Sequence, residues 1–273
     1  MSFDLSSPAD ALGAYVKARA SLDPDDVVTQ WKGSAYGIVP LGGTRRLFGL
    51  EGFTIARAVR VDGGYQLMAR EAVFYANPAT GEVLDTFMNP YTGETNLVVH
   101  DWNDPVIDTL TTVSHGSAGA DEPSNGSVVR PPELFGDAVH FVSESFVRLA
   151  NPLLRAKWPR ESAADLLETS AFLRLAASHR EMDSPGPSAS SQTTRTTNGP
   201  WLPWMLMGDH PGHLVHQLGG AKLLGGYGEL PQHVRSRVEA GRPEFAYAPR
   251  TAAGSSENSW TTYGRQRRPA PPH

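Results

Sequence analysis

The spacing of apolar residues predicts a helix near the start of the chain, over residues 8–20. Ser7 stands at the N-cap position and Pro8 at the first helical position, which is the usual order at a helix start. Three apolar residues then share one face of this helix: Leu12, Tyr15 and Val16. From Val28 the apolar residues change to a period of two, which is typical of strands.

Four strands are predicted between residues 54 and 102, and turn residues separate them. They cover residues 54–61, 65–75, 82–88 and 94–102. Asp62 and Gly63 favour a tight hairpin turn, and Pro78 and Pro90 each mark a later turn. Such short connections join antiparallel neighbours and leave no room for βαβ units, so we predict an antiparallel meander.

The second half of the chain has a weaker pattern. We predict a strand over residues 139–149, a helix or a strand over 166–177, short helices over 219–226 and 231–240, and a closing strand over 260–263. The Gly/Ser-rich residues 116–132 predict a surface loop. Residues 183–200, rich in Ser, Thr, Pro and Gly, favour a flexible insertion.

The fold class that follows is mainly β: an antiparallel meander that closes into a barrel, lipocalin-like in outline, with short peripheral helices. We divide the chain into an N-terminal helix and lead-in (1–27), one β-barrel-like domain (28–263) and a disordered tail (264–273). The flexible insertion near residues 183–200 lies within the central domain. Closure of the meander removes the open edges that invite aggregation.

Residues 201–213 are the most distinctive stretch of the chain. They contain two tryptophans, two methionines, two prolines and two histidines. This stretch is too apolar for a loop in water and too often interrupted by Pro and Gly for a regular helix. We therefore predict that it crosses or plugs a hydrophobic cavity.

The composition excludes several kinds of site. The 273-residue chain has no cysteine, which excludes disulfides, thiolate nucleophiles and Cys-ligated metals. A net charge of −5 argues against a nucleic-acid partner, and no apolar run is long enough to span a membrane. Since no export signal is visible either, we expect a cytoplasmic protein. Homo-oligomerisation stays open.

Two blocks of sequence carry a family resemblance. Residues 70–93 form one block, and residues 201–208 together with 258–261 form the other. With these blocks the chain resembles the uncharacterised bacterial and fungal family catalogued as domain of unknown function 1838, over roughly residues 31–263. The resemblance implies no reaction. Some members of that family carry an export signal, and this chain departs from them there, which favours the cytoplasm.

Arg70 and Glu71 are the first candidates for chemistry. Adjacent residues on a strand point to opposite faces, so these two cannot pair with each other, and both have apolar neighbours. Only a bulge between them would let both line one cavity. At least one charge is expected in a hydrophobic interior, where it needs either an ion-pair partner or a ligand. Without a bulge we keep Glu71, which shares its face with Tyr75.

Histidine supplies the other acid–base candidates. His100 is the best of them because its side chain titrates near neutral pH, and Asp101 is placed to orient a base. His210, His213 and His216 recur at intervals of three, but this spacing without flanking acidic residues is a weak metal signal. We predict no metal and no other cofactor, since dinucleotide and phosphate-binding glycine motifs are also missing.

These residues predict a cofactor-independent enzyme of the lyase, isomerase or cyclase type. Its substrate is expected to be a hydrophobic, aromatic or polycyclic small molecule. We assign proton transfer to His100 or Glu71 and stabilisation of negative charge to Arg70 and Tyr75. The substrate-binding wall is expected to contain Trp201, Trp204, Met205, Met207, His210 and Trp260. The alternative is a carrier or sensor that binds the same ligand without turnover.

Overall fold

The structure is a computed structural model that describes residues 3–111, 125–252 and 257–271. Its strands are Val27–Val39 (β1), Gly43–Val61 (β2), Gly64–Ala76 (β3), Thr86–Met88 (β4), Thr95–Leu97 (β5), Asp101–Thr111 (β6), Asn125–Val129 (β7), Glu133–Phe135 (β8), Ala138–Ala150 (β9), Leu166–Ser178 (β10), Gln192–Gly199 (β11) and His213–Leu223 (β12). Its α-helices are Pro8–Arg19 (α1), His179–Met182 (α2), Gln232–Gly241 (α3) and Ser259–Gln266 (α4). Short 3₁₀ turns occur at Pro203–Met205, Gly226–Glu229 and Pro243–Ala246.

One antiparallel sheet dominates the molecule, and it curls into a half-barrel. The strand order is β6-β3-β2-β1-β12-β11-β10-β9-β7, and β8 pairs with β9. The prediction of a mainly β protein with short helices is confirmed. None of the helices in the described residues is both long and apolar enough to cross a bilayer.

The predicted meander is only half right. β2 and β3 form the expected hairpin, with Gly63 in the turn at a φ of 77°. However, the predicted strands over residues 82–88 and 94–102 shrink to β4 and β5, which form a separate two-stranded hairpin. The main sheet resumes at β6, which pairs with β3.

The predicted flexible insertion is wrong over its second half, because residues 192–199 form β11 between β10 and β12. Threonine is β-branched and suits a strand once neighbours flank it on both sides. The preceding residues wrap the end of α1: the Ser191 hydroxyl donates to the Ala18 carbonyl at 2.9 Å, and the Leu22 amide donates to the Pro187 carbonyl at 2.8 Å.

Two other local predictions are corrected. Residues 260–263 belong to α4 and not to a strand, because the Asn258 side chain accepts hydrogen bonds from the Trp260 and Thr261 amides in a capping box. Residues 219–223 continue β12, where a helix was expected. A Cβ at Gly220 would lie 2.1 Å from the Gln30 carbonyl oxygen, so glycine allows β12 to approach β1.

Several other predictions hold. The helix at residues 8–20 corresponds to α1, residues 139–149 to β9 and residues 231–240 to α3, and the ambiguous stretch 166–177 is strand β10.

Of the loop predicted over residues 116–132, residues 116–124 lie outside the described residues, and the next five residues form strand β7. The tail predicted over residues 264–273 starts within α4, so its first residues are helical. Beyond the helix, the Ala270 amide donates a hydrogen bond to Glu161 at 2.7 Å.

The inner face of the half-barrel carries two apolar clusters. The first lies under α1 and includes Leu12, Tyr15, Leu67, Phe141 and Leu175. The second lies at the opposite end and is built around Trp204, with Trp31, Phe48, Tyr75, Met205 and Leu214. A third cluster on the outer face packs α3 against β2 and β3. The inner face between the first two clusters is where polar side chains gather.

Candidate functional site

The half-barrel contains a partly open cavity of about 480 Å³ on its inner face. β2, β3 and β6 provide one side, β9, β10 and β11 provide the other, and α1 covers one end. This volume falls within the range of small-molecule sites. Because it also lies inside the curl of the sheet and is lined by acidic and basic side chains, we take this cavity as the candidate functional site.

An ion pair crosses the cavity. Arg195 on β11 donates from Nη1 to Glu71 Oε2 on β3 at 3.0 Å. Three strands lie between β3 and β11 in the sheet, so this contact spans the hollow of the curled sheet. Glu71 also accepts from Asn103 Nδ2 at 3.2 Å and from the Thr54 hydroxyl at 3.3 Å. The Glu71 side chain is 15% exposed and that of Arg195 is 35% exposed, so both remain accessible from the cavity.

A second polar group lies under α1. The Tyr15 ring is buried and lines the cavity together with Arg19, Asp108 and Ser143. Burial raises the pKa of the Tyr15 hydroxyl, while the charge of Arg19 and hydrogen bonding with Ser143 act in the opposite direction. The hydroxyl is therefore protonated at neutral pH and can donate a hydrogen bond.

Arg70 faces away from the cavity, as expected for a neighbour of Glu71 on a regular strand. The irregularity lies in the partner strand, where Asp104 and Pro105 stand opposite the single residue Arg70. Arg70 pairs with Asp104 at 3.0 Å and donates to the carbonyls of Glu244 and Tyr247 on the outer surface. These contacts give it a bracing role between the sheet and the segment after α3.

Tyr75 and Asp101 form a buried pair at the Trp204 end. The Tyr75 hydroxyl donates to Asp101 Oδ2 at 2.7 Å, and Asp101 is 7% exposed. Burial raises the pKa of Asp101 to about 6, although the Ser259 and Tyr75 hydroxyls act in the opposite direction. Both residues share the inner face with Glu71, but neither lines the cavity.

His100 also lies outside the cavity. Its Nδ1 accepts from the Tyr75 amide at 3.3 Å, and its ring packs against Phe74 and Tyr75. Burial and the positive charge of Arg237 lower the pKa of His100 to about 4, so the ring is neutral at pH 7. The sequence-based condition that Glu71, Tyr75 and His100 open into one pocket is therefore not met.

The residues expected to form the substrate-binding wall build the apolar end of the half-barrel instead. Trp201, Trp204, Met205 and Met207 are all buried in the second apolar cluster, and Trp260 packs against it. Two amides hold this segment in place, since Asn89 Nδ2 and Asn96 Nδ2 donate to the Met205 carbonyl at 2.8 and 2.9 Å. None of these residues lines the cavity.

The three spaced histidines do not converge. The His210 ring lies beside the rings of Tyr91 and Trp201. His213 and His216 are three residues apart on β12 and so point to opposite faces of the sheet. Over the described ranges, no group of three potential ligands is arranged to hold a metal ion.

Sequence reasoning missed Arg195, which is the partner of Glu71. Its position inside the Ser/Thr-rich stretch masked it, although Thr193, Arg195 and Thr197 alternate with a strand period. Asn103, Asp108 and Ser143 were missed as well, since no local pattern separates an inward polar residue from a solvated one.

Comparison with known proteins identifies the family. No curated protein and no solved structure matches the chain. Residues 25–267 match the family described as protein of unknown function (DUF1838), which agrees with the resemblance seen in the sequence. Since this match spans the sheet and α4 and leaves out only the segment with α1 and the last residues, the chain belongs to the DUF1838 family.

Proposed function

We propose that the protein is a cofactor-independent enzyme of the lyase, isomerase or cyclase type that acts on a hydrophobic small molecule in the half-barrel cavity. One observation carries this proposal: the Glu71 carboxylate faces a partly aliphatic cavity inside the curl of the sheet, beside the Arg195 guanidinium. Acid and cation placed together in a hydrophobic site are typical of proton-transfer chemistry. The absence of cysteine fits the cytoplasmic location that we include in the proposal.

The chemistry that fits is a proton shift next to a carbonyl group. Glu71 takes a proton from the carbon beside the carbonyl, so that the C–H bond breaks and an O–H bond forms on the carboxylate. The electron pair moves onto the carbonyl oxygen, where Arg195 and Asn103 stabilise the negative charge. If the substrate has a double bond in the β,γ-position to the carbonyl group, the intermediate is a dienolate, and Glu71 returns the proton to its γ-carbon. The electron pair flows back from the oxygen, the double bond moves into conjugation with the carbonyl group, and an isomerisation is completed without a cofactor.

The substrate is expected to be mainly aliphatic. Ala56, Leu67, Ala69, Ala171 and Leu173 line the cavity, and Tyr15 is the single aromatic side chain among its described lining residues. Packing against such walls depends on buried apolar area and not on aromatic stacking. An alicyclic or fused-ring skeleton that carries a carbonyl group satisfies both the walls and the Glu71–Arg195 pair.

A carrier function is the second candidate, and one observation favours it. The Glu71 carboxylate already accepts hydrogen bonds from Arg195, Asn103 and Thr54, which occupy acceptor positions that a substrate proton would need. In a carrier this network would position the ligand and never exchange a proton with it.

Solvent deuterium exchange separates the two functions. The protein is incubated in D₂O with a panel of alicyclic ketones, and deuterium at the carbons beside the carbonyl is measured by mass spectrometry. We expect exchange with the native protein and a loss of about a hundredfold or more in Glu71→Gln. Binding is followed in parallel by the shift in melting temperature.

Glu51→Gln is the matched control. Glu51 is another buried carboxylate, on β2, and its partners are Lys32 at 2.9 Å and His233 at 2.8 Å, but it faces outward. Its substitution is expected to leave the exchange rate unchanged. Binding of ketones without exchange identifies a carrier, and the same exchange rate in Glu71→Gln and the native protein contradicts the role of Glu71.

A further inference from the structure

The polar side chains of the cavity lie at two separate levels. On β3 the inward residues Glu71 and Leu67 are four positions apart, and their partners on β6 are Asn103 and Asp108. A strand rises about 3.3 Å per residue, so the two levels are separated by about 13 Å along the sheet. The Glu71–Arg195 pair marks one level, and the α1 residue Tyr15 marks the other.

The wall between the two levels is largely aliphatic. Ala56 and Ala69 line it on the β2–β3 side, and Ala171, which stands opposite Ser145, lines it on the β9–β10 side. These three alanines leave width for a bulky skeleton between the two halves of the sheet. The cavity therefore has a mainly apolar middle and a hydrogen-bonding group at each end.

The charges along the cavity cancel. Its described lining contains two acidic residues, Glu71 and Asp108, and two basic residues, Arg195 and Arg19. Each level holds one acid and one base, so a charged ligand group would be buried without a matching countercharge. A hydroxyl group can both donate to the acid and accept from the base, and it brings no charge.

We propose that the ligand of this cavity is an uncharged, elongated aliphatic molecule that carries a hydroxyl or carbonyl group at each end. One end meets Glu71 and Arg195, and the other meets Tyr15 and Ser143. This inference rests on the proposed function, because it takes the same cavity as the substrate site. It adds the second polar group and the neutral character of the substrate.

Saturated steroid alcohols provide rigid probes for this inference. The first probe is androstanediol, with hydroxyls at opposite ends of the fused rings; the second lacks the hydroxyl of the five-membered ring. The third is the monosulfate ester of the diol. Affinities are measured by isothermal titration calorimetry at constant ionic strength. We expect the diol to bind about tenfold more tightly than either of the other two, since each lacks a neutral match at one end.

Substitutions at the α1 level test which residues recognise the second group. Tyr15→Phe and Ser143→Ala are each expected to reduce the preference for the diol over the mono-alcohol by about fivefold. Tyr65→Phe is the matched control, because Tyr65 is buried in the same apolar cluster and does not line the cavity. The melting temperature of each variant shows whether it folds normally. If one of the two variants is misfolded, the other still tests the same end of the cavity.

The outcomes separate this inference from the proposed function. Equal affinity for the diol and the mono-alcohol, or tighter binding of the sulfate, overturns the two-ended neutral ligand while the proposed function stands. Failure of all three probes to bind also overturns it, and the ketone exchange experiment then decides the proposed function on its own. A diol preference that survives both Tyr15→Phe and Ser143→Ala contradicts the assignment of the second end.

Discussion

The two ends of the half-barrel are closed by different kinds of contact. At the α1 end the Lys222 ammonium donates to the Lys17 and Ala20 carbonyls at 2.7 and 2.8 Å and to the Ser188 hydroxyl at 2.9 Å. Lys17 in turn donates to the Met182 carbonyl at 2.8 Å. Both lysines are buried, so α1 is tied down by ammonium–carbonyl hydrogen bonds in addition to its apolar face.

The opposite end is closed by packing. Trp204 is 1% exposed and contacts the rings of Phe48, Tyr75 and Phe87 at centroid distances of 5.4, 5.2 and 5.6 Å. One buried ionisable group next to this aromatic cluster is Asp101, which accepts a hydrogen bond from Tyr75. Aromatic packing of this kind is insensitive to pH, whereas the lysine contacts at the α1 end are not.

The comparison teaches how a cavity can be kept open inside a small sheet. The apolar cluster around Trp204 occupies one end, and the cavity lies towards the end that is held by polar contacts. The two ends also carry buried groups of opposite charge. Their contributions to stability therefore change with pH in opposite directions, which allows each end to be probed separately.

The largest expected effect comes from the aromatic end. Trp204→Ala is expected to lower the free energy of unfolding by about 3–5 kcal/mol, because it removes a fully buried indole and leaves a cavity. Urea denaturation measures this loss. Trp260→Ala is the control at the same end, since Trp260 is half-buried, and it should cost less than half as much. Equal losses of unfolding free energy in the two variants would show that the aromatic cluster is no more sensitive to the loss of Trp204 than to the loss of Trp260.

Lys222→Met tests the α1 end through its pH dependence. Burial lowers the pKa of Lys222 to about 7 from its ordinary value of 10.5. Between these values the unfolded chain binds the extra proton, so the contribution of Lys222 to stability rises with pH from 7 towards 10.

The free energy of unfolding of the native protein, relative to Lys222→Met, is therefore expected to increase by about 3 kcal/mol between pH 7 and pH 10. Urea denaturation of both proteins across this range measures the difference. A constant difference would mean that the ammonium keeps its proton in the folded protein. The Lys17 and Ala20 carbonyls retain donors from Ala189 and Ser188 in the variant, so α1 should stay folded.

Asp101→Asn tests the aromatic end, where stability is expected to change with pH in the opposite direction. The pKa of Asp101 is raised to about 6 from 3.8, so the folded chain binds the extra proton between these values. The contribution of Asp101 to stability is then fully present below pH 3.8 and is lost as the pH rises to about 6. The native protein is expected to lose about 2–3 kcal/mol relative to Asp101→Asn between pH 4 and pH 7. Thermal denaturation of both proteins across this range checks the sign.

The smallest expected effect compares the helix caps at the two ends. Asn258 caps α4, which packs beside the Trp204 segment, through hydrogen bonds of 3.0 Å to two amides. Asn258→Ala is expected to lower the melting temperature by an amount equivalent to about 1 kcal/mol. Ser7 holds the N-cap position of α1 but makes no side-chain cap hydrogen bond, so Ser7→Ala should change stability by only a few tenths of a kcal/mol. Equal shifts would argue against this assignment of the caps.

The local sequence pattern was enough to predict those elements whose residue preferences match the structure that they adopt. The helix over residues 8–20, the hairpin turn at Gly63 and the opposite orientation of Arg70 and Glu71 all follow from short-range geometry. The candidate site was predicted only in part. Glu71 was identified, but the roles given to His100 and Trp204 placed them in a cavity that neither of them lines. Their burial was predictable, and their position in the curled sheet was not.

The sequence by itself determined a mainly β chain without cysteine, an apolar stretch near Trp204 that had to be buried, and one acid on the inner face of a strand. The tertiary structure decided which residues meet. Arg195 is 124 positions from Glu71 along the chain and reaches it because the sheet curls until β11 faces β3 across the hollow. Strand periodicity reports only which face a residue occupies, whereas the partner across a barrel depends on strand order and curvature, which are set by contacts between distant segments.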